Sequence, residues 1–153
     1  MDGRRDEATA ASDDLVDALV QTSFITTGVL SAVGAKHDLS LTQMRVLGIL
    51  RDRRLTMTAL AVYLGLDKST LTGLVSRAEK RGLVERAPSE RDRRSVEVFL
   101  SAEGLAQAAA ATAEVADALE PVLGGVTGPD RIRLQSLLVG LLTAQPSPST
   151  AGS

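Results

Sequence analysis

The sequence predicts a mainly α-helical protein with one small β-hairpin, an α+β fold. Apolar residues recur at helical spacing along most of the chain, and one short stretch before residue 101 alternates apolar and polar side chains. The 153 residues correspond to a single domain of ordinary size. Because aromatic residues make up only 2% of the chain, its core must consist of Leu, Val and Ala on closely packed helices.

The composition excludes several kinds of site. The chain has no cysteine and one histidine, His37, which argues against disulfides, thiolate nucleophiles and Cys- or His-rich metal sites. It also has no Gly-rich phosphate loop and no nucleophile beside a base, so we expect no enzyme, no metal and no cofactor. No apolar run approaches the roughly 18 residues of a membrane span, and the N-terminus has no apolar signal core. We therefore expect a soluble, cytoplasmic protein.

Two helices are predicted in the first third of the chain. Residues 1–11 are small and polar, and we expect them to be disordered. Ser12, followed by two acids, favours the start of a first helix that covers residues 12–36 and carries more apolar surface than one face needs. Ser40 and Gln43 have the spacing of a capping box, which predicts the start of a second helix.

The next segment is predicted to form a brief strand at Leu55 and Thr56, followed by two short helices joined by a tight turn. The third helix covers residues 57–65. The fourth follows Asp67, whose carboxylate can accept the first free backbone N–H groups, and it ends at Gly82, which can adopt the left-handed conformation. Its inward face is apolar, whereas its outer face is small, hydroxylated and cationic. Two such helices form a helix-turn-helix.

The residues after Gly82 predict a β-hairpin with a long loop that is rich in arginine. Val96, Val98 and Leu100 alternate with their neighbours at the two-residue period of a strand with one buried side. Appended to a helix-turn-helix, such a hairpin is a wing. The fourth helix fits the major groove of DNA, and arginines on a narrow loop suit the minor groove. The alternative is that the loop is an ordinary solvated turn.

The Lys and Arg residues are concentrated in the middle of the chain. Residues 51–94 carry 11 of them against 6 Asp and Glu, a local net charge of +5, which leaves −7 for the remainder. This distribution is typical of a protein that binds phosphates with one part and keeps the other part away from them. Because few aromatic residues are available to stack single-stranded bases, duplex DNA is the expected partner.

The stretch LTMTALAVYLGLDKSTLTGLVSRAEKRGLVERAPSERDRRSVEVFLSAEG resembles the winged helix-turn-helix core of the MarR (multiple antibiotic resistance regulator) family of bacterial transcription factors. The resemblance spans residues 40–104 with the preceding helix, and it places the winged domain at 40–100. It implies that Arg94 enters the minor groove and that Asp92 braces the wing. It also implies a homodimer on a pseudo-palindromic operator, commonly a repressor that a small aromatic or phenolic ligand releases.

The ends of the chain independently predict a dimer formed by residues 12–36 and 102–144. We expect Ser101 to cap a helix. In this helix apolar and small residues recur at spacings of three and four, which is a heptad seam that Pro121 should bend or end. A last, heavily apolar helix starts at Gly128, with Pro129 at its first position. One short domain could not easily bury all this surface; the alternative is a helical cap over the winged domain. Residues 145–153 have the composition of a disordered tail.

These arguments predict a dimeric, sequence-specific regulator of transcription, with a ligand-independent or architectural DNA-binding dimer as the alternative. The expected DNA contacts lie on the fourth helix and the wing: Lys68, Ser69, Thr70, Thr72, Gly73, Arg77, Lys80, Arg91, Asp92, Arg93 and Arg94. The expected dimer interface comprises Leu15, Leu19, Leu105, Ala108, Thr112, Val115, Leu119, Leu137, Leu138 and Leu141. The family resemblance implies an effector pocket between the terminal helices and the winged domain, with Phe24, His37 and Met44 as candidate lining residues.

Overall fold

The computed structural model of the chain describes the backbone of residues 3–144 and the side chains of residues 12–144. This part of the chain contains six helices and three strands, which confirms the mainly α-helical α+β fold. In chain order the elements are α1 Gly3–Lys36, α2 Leu41–Leu50, β1 Leu55–Thr56, α3 Met57–Leu64, α4 Lys68–Lys80, β2 Val84–Pro88, β3 Val96–Leu100, α5 Ala102–Leu123 and α6 Gly128–Thr143.

The predicted ends of the helices agree with their observed caps in most cases. At the start of α2 the Ser40 side chain accepts a hydrogen bond from the Gln43 backbone N–H at 3.2 Å, and the Gln43 side chain accepts one from the Ser40 N–H at 2.9 Å. Asp67 caps α4, and Gly65 and Gly82 adopt φ values of 65° and 72°. Local side-chain chemistry therefore sets the limits of the short helices.

Helix α1 begins at Gly3, so the expectation that residues 1–11 are disordered is wrong for residues 3–11, which continue the helix that was predicted to start at Ser12. The segment 3–11 contains Arg, Glu and Ala, which have high helix propensity and allow the helix to extend toward the N-terminus. The predicted tail, residues 145–153, lies outside the described residues.

The three strands form one antiparallel sheet in the order β1-β3-β2. Leu55 of β1 pairs with Val98 of β3, and Val84 of β2 pairs with Leu100. Strand β2 extends to Pro88 because residues 87 and 88 pair with residues 97 and 96 of β3. The loop of the wing is therefore shorter than the sequence predicted.

The core of the molecule lies inside the winged domain, between α2, α3, α4 and the sheet. Its members are aliphatic side chains that are almost entirely withdrawn from solvent: Val46, Leu47, Leu50, Leu60, Leu64, Leu71, Leu74, Val75, Ala78, Leu83, Val84, Val98 and Leu100. One residue of α5, Ala108, also belongs to this cluster. The winged domain thus buries its apolar residues within its own chain.

The terminal helices α1, α5 and α6, called here the terminal layer, lie mostly outside this core; α1 packs against α5, and both contact α2. Helix α5 continues for two residues beyond Pro121, so the proline does not end it before Val122. Because Pro121 stands in the last turn, the backbone hydrogen bond that it removes affects only the end of the helix. Helix α6 begins at Gly128, as predicted, but because Thr127 is its N-cap, Pro129 stands at its second position and not at its first.

The part Ser12–Lys36 of α1 is long and apolar enough to cross a membrane by length and composition alone, with a mean hydropathy of 1.4. The expectation that no segment is long and apolar enough to cross a membrane is therefore wrong. Ser and Thr residues interrupt the apolar run, but they carry no charge and lower the mean only slightly. Helices that pack against other protein helices pass the same test, so this finding alone does not indicate a membrane protein.

Candidate nucleic-acid interface

Helix α4 has one buried and one exposed face, as its sequence predicts. Leu71, Leu74, Val75 and Ala78 are buried. The polar residues of α4 that are expected to contact DNA are all exposed: Lys68, Ser69, Thr70, Thr72, Arg77 and Lys80. Gly73, which is also expected to contact DNA, is half-buried. The hydroxylated and cationic face of α4 is therefore open to a ligand as large as a DNA duplex.

The N-terminal turn of α4 is organised around Asp67. Its Oδ1 accepts hydrogen bonds from the Thr70 backbone N–H at 2.9 Å and the Ser69 hydroxyl at 2.7 Å, and its Oδ2 accepts one from the Thr70 hydroxyl at 2.6 Å. The bonds from Thr70 and Ser69 hold the pKa of the Asp67 carboxyl far below its ordinary value. Because both hydroxyls donate to Asp67, their oxygens remain able to accept hydrogen bonds from base amino groups.

Gly73 leaves room for the side chain of Arg77 on the exposed face. A Cβ atom at residue 73 would lie 3.4 Å from Nη1 of Arg77. A larger side chain there would compete with the guanidinium for the same space.

Asp92 braces the tip of the wing, which is the role that the family resemblance implies for it. Its Oδ1 accepts a hydrogen bond from the Arg94 backbone N–H at 3.0 Å, and its Oδ2 accepts one from the Ser95 hydroxyl at 3.2 Å. The side chains of Arg91, Arg93 and Arg94 are exposed. Among the residues that the structure describes, none of these three guanidinium groups has an acidic partner within 4 Å, so their charge is available to phosphates.

Sequence reasoning missed Arg86, which joins the wing to α4. Its Nη2 donates a hydrogen bond to the Ser76 hydroxyl at 2.7 Å, and its Nε lies 3.3 Å from a carboxylate oxygen of Glu79. The contact with Glu79 is electrostatic, since Nε does not make a well-aligned hydrogen bond. Glu79 is the one acid at the margin of the basic face, so Arg86 offsets its charge and fixes the wing against the helix.

A groove of about 380 Å³ separates α4 from the wing. Residues from α3, from α4 and from both strands of the wing line it: Met57, Lys68, Thr72, Arg86, Ala87, Pro88 and Val96. Lys68 of the helix and Arg86 of the wing thus lie on one concave surface, whereas the arginines of the wing tip are not among its lining residues. This geometry suits a DNA backbone that passes between two neighbouring grooves of the duplex.

A second cleft, of about 390 Å³, lies between α1, α2 and α5. Of the candidate effector-pocket residues, Met44 lines this cleft, whereas Phe24 and His37 do not. Phe24 is 68% exposed on α1. Nε2 of His37 lies 2.8 Å from Oε1 of Glu114, so His37 connects the end of α1 to α5. Sequence position alone could not distinguish these environments.

The residues expected at the dimer interface occupy three kinds of environment. Leu15, Leu19, Leu105, Thr112, Leu137, Leu138 and Leu141 are exposed, whereas Val115 and Leu119 are half-buried. Ala108 is only 4% exposed, because it packs in the core of its own chain. Little of its surface can therefore contact a partner, and its assignment to the interface is corrected. The reason is that α5 turns this face toward α2. The exposed leucines of α1 and α6 remain without a described contact that covers them.

Three known proteins show what the chain is similar to. PecS, a transcriptional regulator from Dickeya dadantii, is 28% identical over 128 residues, which cover 81% of this chain and 77% of PecS. YfiV, an uncharacterised regulator from Bacillus subtilis, is 45% identical over 67 residues, which cover 43% of this chain and only 42% of YfiV. The structure of the transcriptional repressor CouR, bound to a 23-mer DNA duplex, has a TM-score of 0.69 at 29% identity over 86% of this chain and 94% of CouR.

The helix-turn-helix, the wing and their common basic surface define a winged helix-turn-helix transcriptional regulator. The model of the MarR family matches residues 37–95, which contain all of α4, called here the reading helix, and most of the wing. This match confirms the resemblance to the MarR family seen in the sequence.

Proposed function

We propose that the protein is a homodimeric, sequence-specific repressor of transcription that binds a pseudo-palindromic DNA operator and that a small apolar ligand releases. The observation that carries this proposal is the exposure of the hydroxylated and cationic face of α4 and of the three arginines at the wing tip. Arg86 also offsets the charge of Glu79. The role requires no catalysis, metal or cofactor. A regulator of this kind acts on DNA in the cytoplasm.

The exposed side chains of α4 and the wing have separate roles in this proposal. Ser69, Thr70, Thr72 and Arg77 contact base edges and nearby phosphates in the major groove, whereas Lys68 and Lys80 contact phosphates. A bidentate arginine contact to a base contributes about 1 to 3 kcal/mol of discrimination. Arg93 and Arg94 enter the adjacent minor groove, and Asp92 keeps the wing tip in the required shape.

A second copy of the chain is the partner that covers the apolar faces of α1 and α6. Leu137 and Leu141 of α6 are 60% and 58% exposed, and Leu15 of α1 is 70% exposed. Dimerisation through these helices presents two copies of α4. They must lie about 34 Å apart to enter successive major grooves on one side of the duplex.

The cleft beside Met44 is the proposed effector site. Its lining is almost entirely apolar, with Arg45 as its one charged residue and Thr112 and Val115 at the side of α5. A ligand held there contacts α2 of the winged domain and two terminal helices at once. It releases DNA if it favours a geometry in which the two α4 helices miss the grooves, because a ligand shifts an equilibrium by its difference in affinity for the two states.

DNA binding tests the first part of the proposal. An operator is selected from random duplex DNA with the wild-type protein, and affinity is measured by fluorescence anisotropy over a range of salt concentrations. Arg94→Ala should weaken binding, and each lost phosphate contact should make the log-log salt slope shallower by about 0.9. Arg133→Ala, on α6, is the matched control and should leave both quantities unchanged. An unchanged affinity and salt slope for Arg94→Ala would show that the wing does not bind DNA.

Effector control is tested by filling the cleft. Gly48 lines it, and a Cβ atom at this position would meet nothing within 4 Å. Phenols and other apolar aromatic compounds are titrated against the operator complexes of the wild-type protein and Gly48→Met. The expected result is release of the wild-type complex and no release of the variant, at equal affinity for DNA. Release of both complexes at the same ligand concentration would exclude this cleft as the effector site.

A further inference from the structure

Arg81 connects the end of α4 to the turn that follows α1. Its Nη1 donates a hydrogen bond to the backbone carbonyl of Asp38, and its Nη2 donates one to the carbonyl of His37 at 3.3 Å. These partners are more than 40 residues away in the sequence. The planar guanidinium bridges two successive carbonyls, which a lysine ammonium cannot do in the same geometry.

The turn that accepts these hydrogen bonds has an uncommon conformation and is tied to α5 as well. Asp38 has φ 54°, and no other non-glycine residue among those described has a positive φ. Just before it, His37 and Lys36 contact the carboxylate of Glu114 at 2.8 and 3.3 Å. The turn is therefore held by α5 on one side and by Arg81 of the reading helix on the other.

The residues immediately after Arg81 are held by the start of α5. The Ser101 hydroxyl donates a hydrogen bond to the carbonyl of Gly82, and the Ser101 backbone N–H donates one to the carbonyl of Leu83 at 3.1 Å. Helix α5 packs so closely here that a Cβ atom on Gly104 would lie 1.9 Å from the Leu83 oxygen. The C-terminal end of α4 is thus a joint between the reading helix and both α1 and α5.

We propose that Arg81 is a positioning residue that fixes the orientation of α4 relative to the dimerisation helices of its own chain. It thereby sets the spacing and angle between the two reading helices of the dimer. This inference rests on the proposed function, since it concerns how a dimer reads two half-sites. Arg81 acts through the turn at His37 and Asp38, and it does not contact DNA.

The hydrogen bonds of Arg81 separate its role from the phosphate binding that we propose for its neighbour Lys80. Helix α4 has 13 residues and is about 20 Å long, and its N-terminal turn is the part that approaches base edges. Arg81 follows the opposite end, where its side chain is only 31% exposed and both of its terminal nitrogens are engaged by carbonyls. The Asp38 carboxylate, 3.8 Å away, is fully exposed and adds little to this connection.

The experiment measures selectivity for half-site spacing. Wild-type protein, Arg81→Lys and Arg81→Gln are each titrated with the selected operator, with a single half-site, and with operators that carry insertions between the half-sites of up to about five base pairs, roughly half a helical turn. Asp38→Asn is the matched control, because asparagine tolerates a positive φ and preserves the carbonyl. Thermal unfolding of each variant verifies that it is folded.

For both Arg81 variants we expect an affinity for the single half-site within about twofold of wild type. The preference for the selected spacing should fall by at least about fivefold, which is the lower end of typical coupling between two sites. Asp38→Asn should behave as wild type. Undiminished spacing preference in both variants would overturn the inference. A second pattern would also overturn it: weaker binding to the single half-site by Arg81→Gln, with wild-type binding by Arg81→Lys. This pattern would indicate that the positive charge of Arg81 contacts a phosphate. If the wild-type protein selects no DNA sequence, the proposed function itself fails, and the inference fails with it.

Discussion

The winged domain and the layer of terminal helices bury their apolar residues in different ways. In the winged domain, Leu60, Leu71 and Val98 are at most 1% exposed, and the polar residues face outward. In the terminal layer, no residue of α6 is buried, and Phe24 and Leu142 are 68% and 74% exposed. Both regions have similar aliphatic side chains, so composition does not distinguish them.

The difference shows that one region completes its core within one chain, whereas the other completes it by association. An aliphatic side chain gains about 1.5 to 3 kcal/mol when it moves from full exposure to full burial, so the exposed leucines of α1 and α6 are a large unused contribution. Contiguous apolar patches of this kind mark interaction surfaces. Changes at the joint between the regions should therefore affect the fold itself, whereas changes in the terminal layer should affect association.

The largest effect is expected at the joint, from Gly104→Val. The Cβ atom would lie 1.9 Å from a backbone oxygen of Leu83, which cannot move without displacing the start of the wing. We expect the free energy of unfolding to fall by about 3 kcal/mol, the upper end of the usual cost of overpacking. Urea unfolding at a fixed protein concentration measures it. The control is Gly28→Ala, where the structure leaves open space; an equal loss in both variants would show that the close contact is not the cause.

A smaller effect, confined to association, is expected from Leu137→Glu. A carboxylate in the centre of an apolar helix interface should raise the dissociation constant of the dimer by about 100-fold, because central interface residues contribute 2 kcal/mol or more. Sedimentation at micromolar concentration should then show a single subunit. Val62→Glu is the matched control, since Val62 is 51% exposed on α3 of the winged domain. A wild-type protein that sediments as one subunit would favour the helical-cap alternative.

Gly140, at the polar edge of α6, should respond to substitution by helix propensity alone. Gly140 shares a face with Arg133 and Ser136 at spacings of seven and four residues, and a Cβ atom there would meet nothing within 4 Å. Gly140→Ala should therefore raise the free energy of unfolding by about 0.5 to 1 kcal/mol, with the dimer constant unchanged. Chemical unfolding combined with sedimentation measures both. A weakened dimer would mean that the partner also covers this face.

The smallest effect is a pH dependence of the protein's stability that arises from Glu114. The hydrogen bond from His37, and then the one from Lys36, lower the pKa of its carboxyl from 4.5. The pKa of the Glu114 carboxyl is therefore lower in the folded protein than in the unfolded chain. The contact gives its full stabilisation at pH values above the unfolded-state pKa, and this stabilisation is lost as the pH falls through the folded-state pKa. The unfolding temperature of wild-type protein should exceed that of Glu114→Gln near neutral pH, and the difference should shrink below pH 4.5. A difference that persists in acid would exclude this contact as its source.

Much of the local structure follows from residues that are neighbours in the sequence. Ser40 with Gln43, Asp67 and Ser101 cap the helices that they were expected to cap. The apolar face of α4 is buried as predicted, and the alternation in β3 correctly predicted the burial of Val98 and Leu100. It was wrong for Val96, which stands at the start of the strand and is 42% exposed. These features depend on interactions that span four residues or fewer, so a single sequence contains the information for them.

The contacts that connect the elements could not be predicted in this way. Arg86 reaches Ser76 and Glu79, and Arg81 reaches the turn that follows α1. In the sequence, these arginines do not differ from Arg91 or Arg93, whose side chains are exposed at the wing tip. The outcome for each depends on which carbonyl or carboxylate the packed helices bring within reach.

The sequence by itself therefore determined the order of the elements, their caps, the basic character of α4 and the wing, and the resemblance to the MarR family. Only the tertiary structure decided that Ala108 faces the core, that His37 contacts Glu114 instead of lining the apolar cleft, and that Arg81 joins the reading helix to the dimerisation layer. The physical reason is distance along the chain. Helix propensity and capping act between neighbours, whereas burial and long-range hydrogen bonds exist only after the helices have packed.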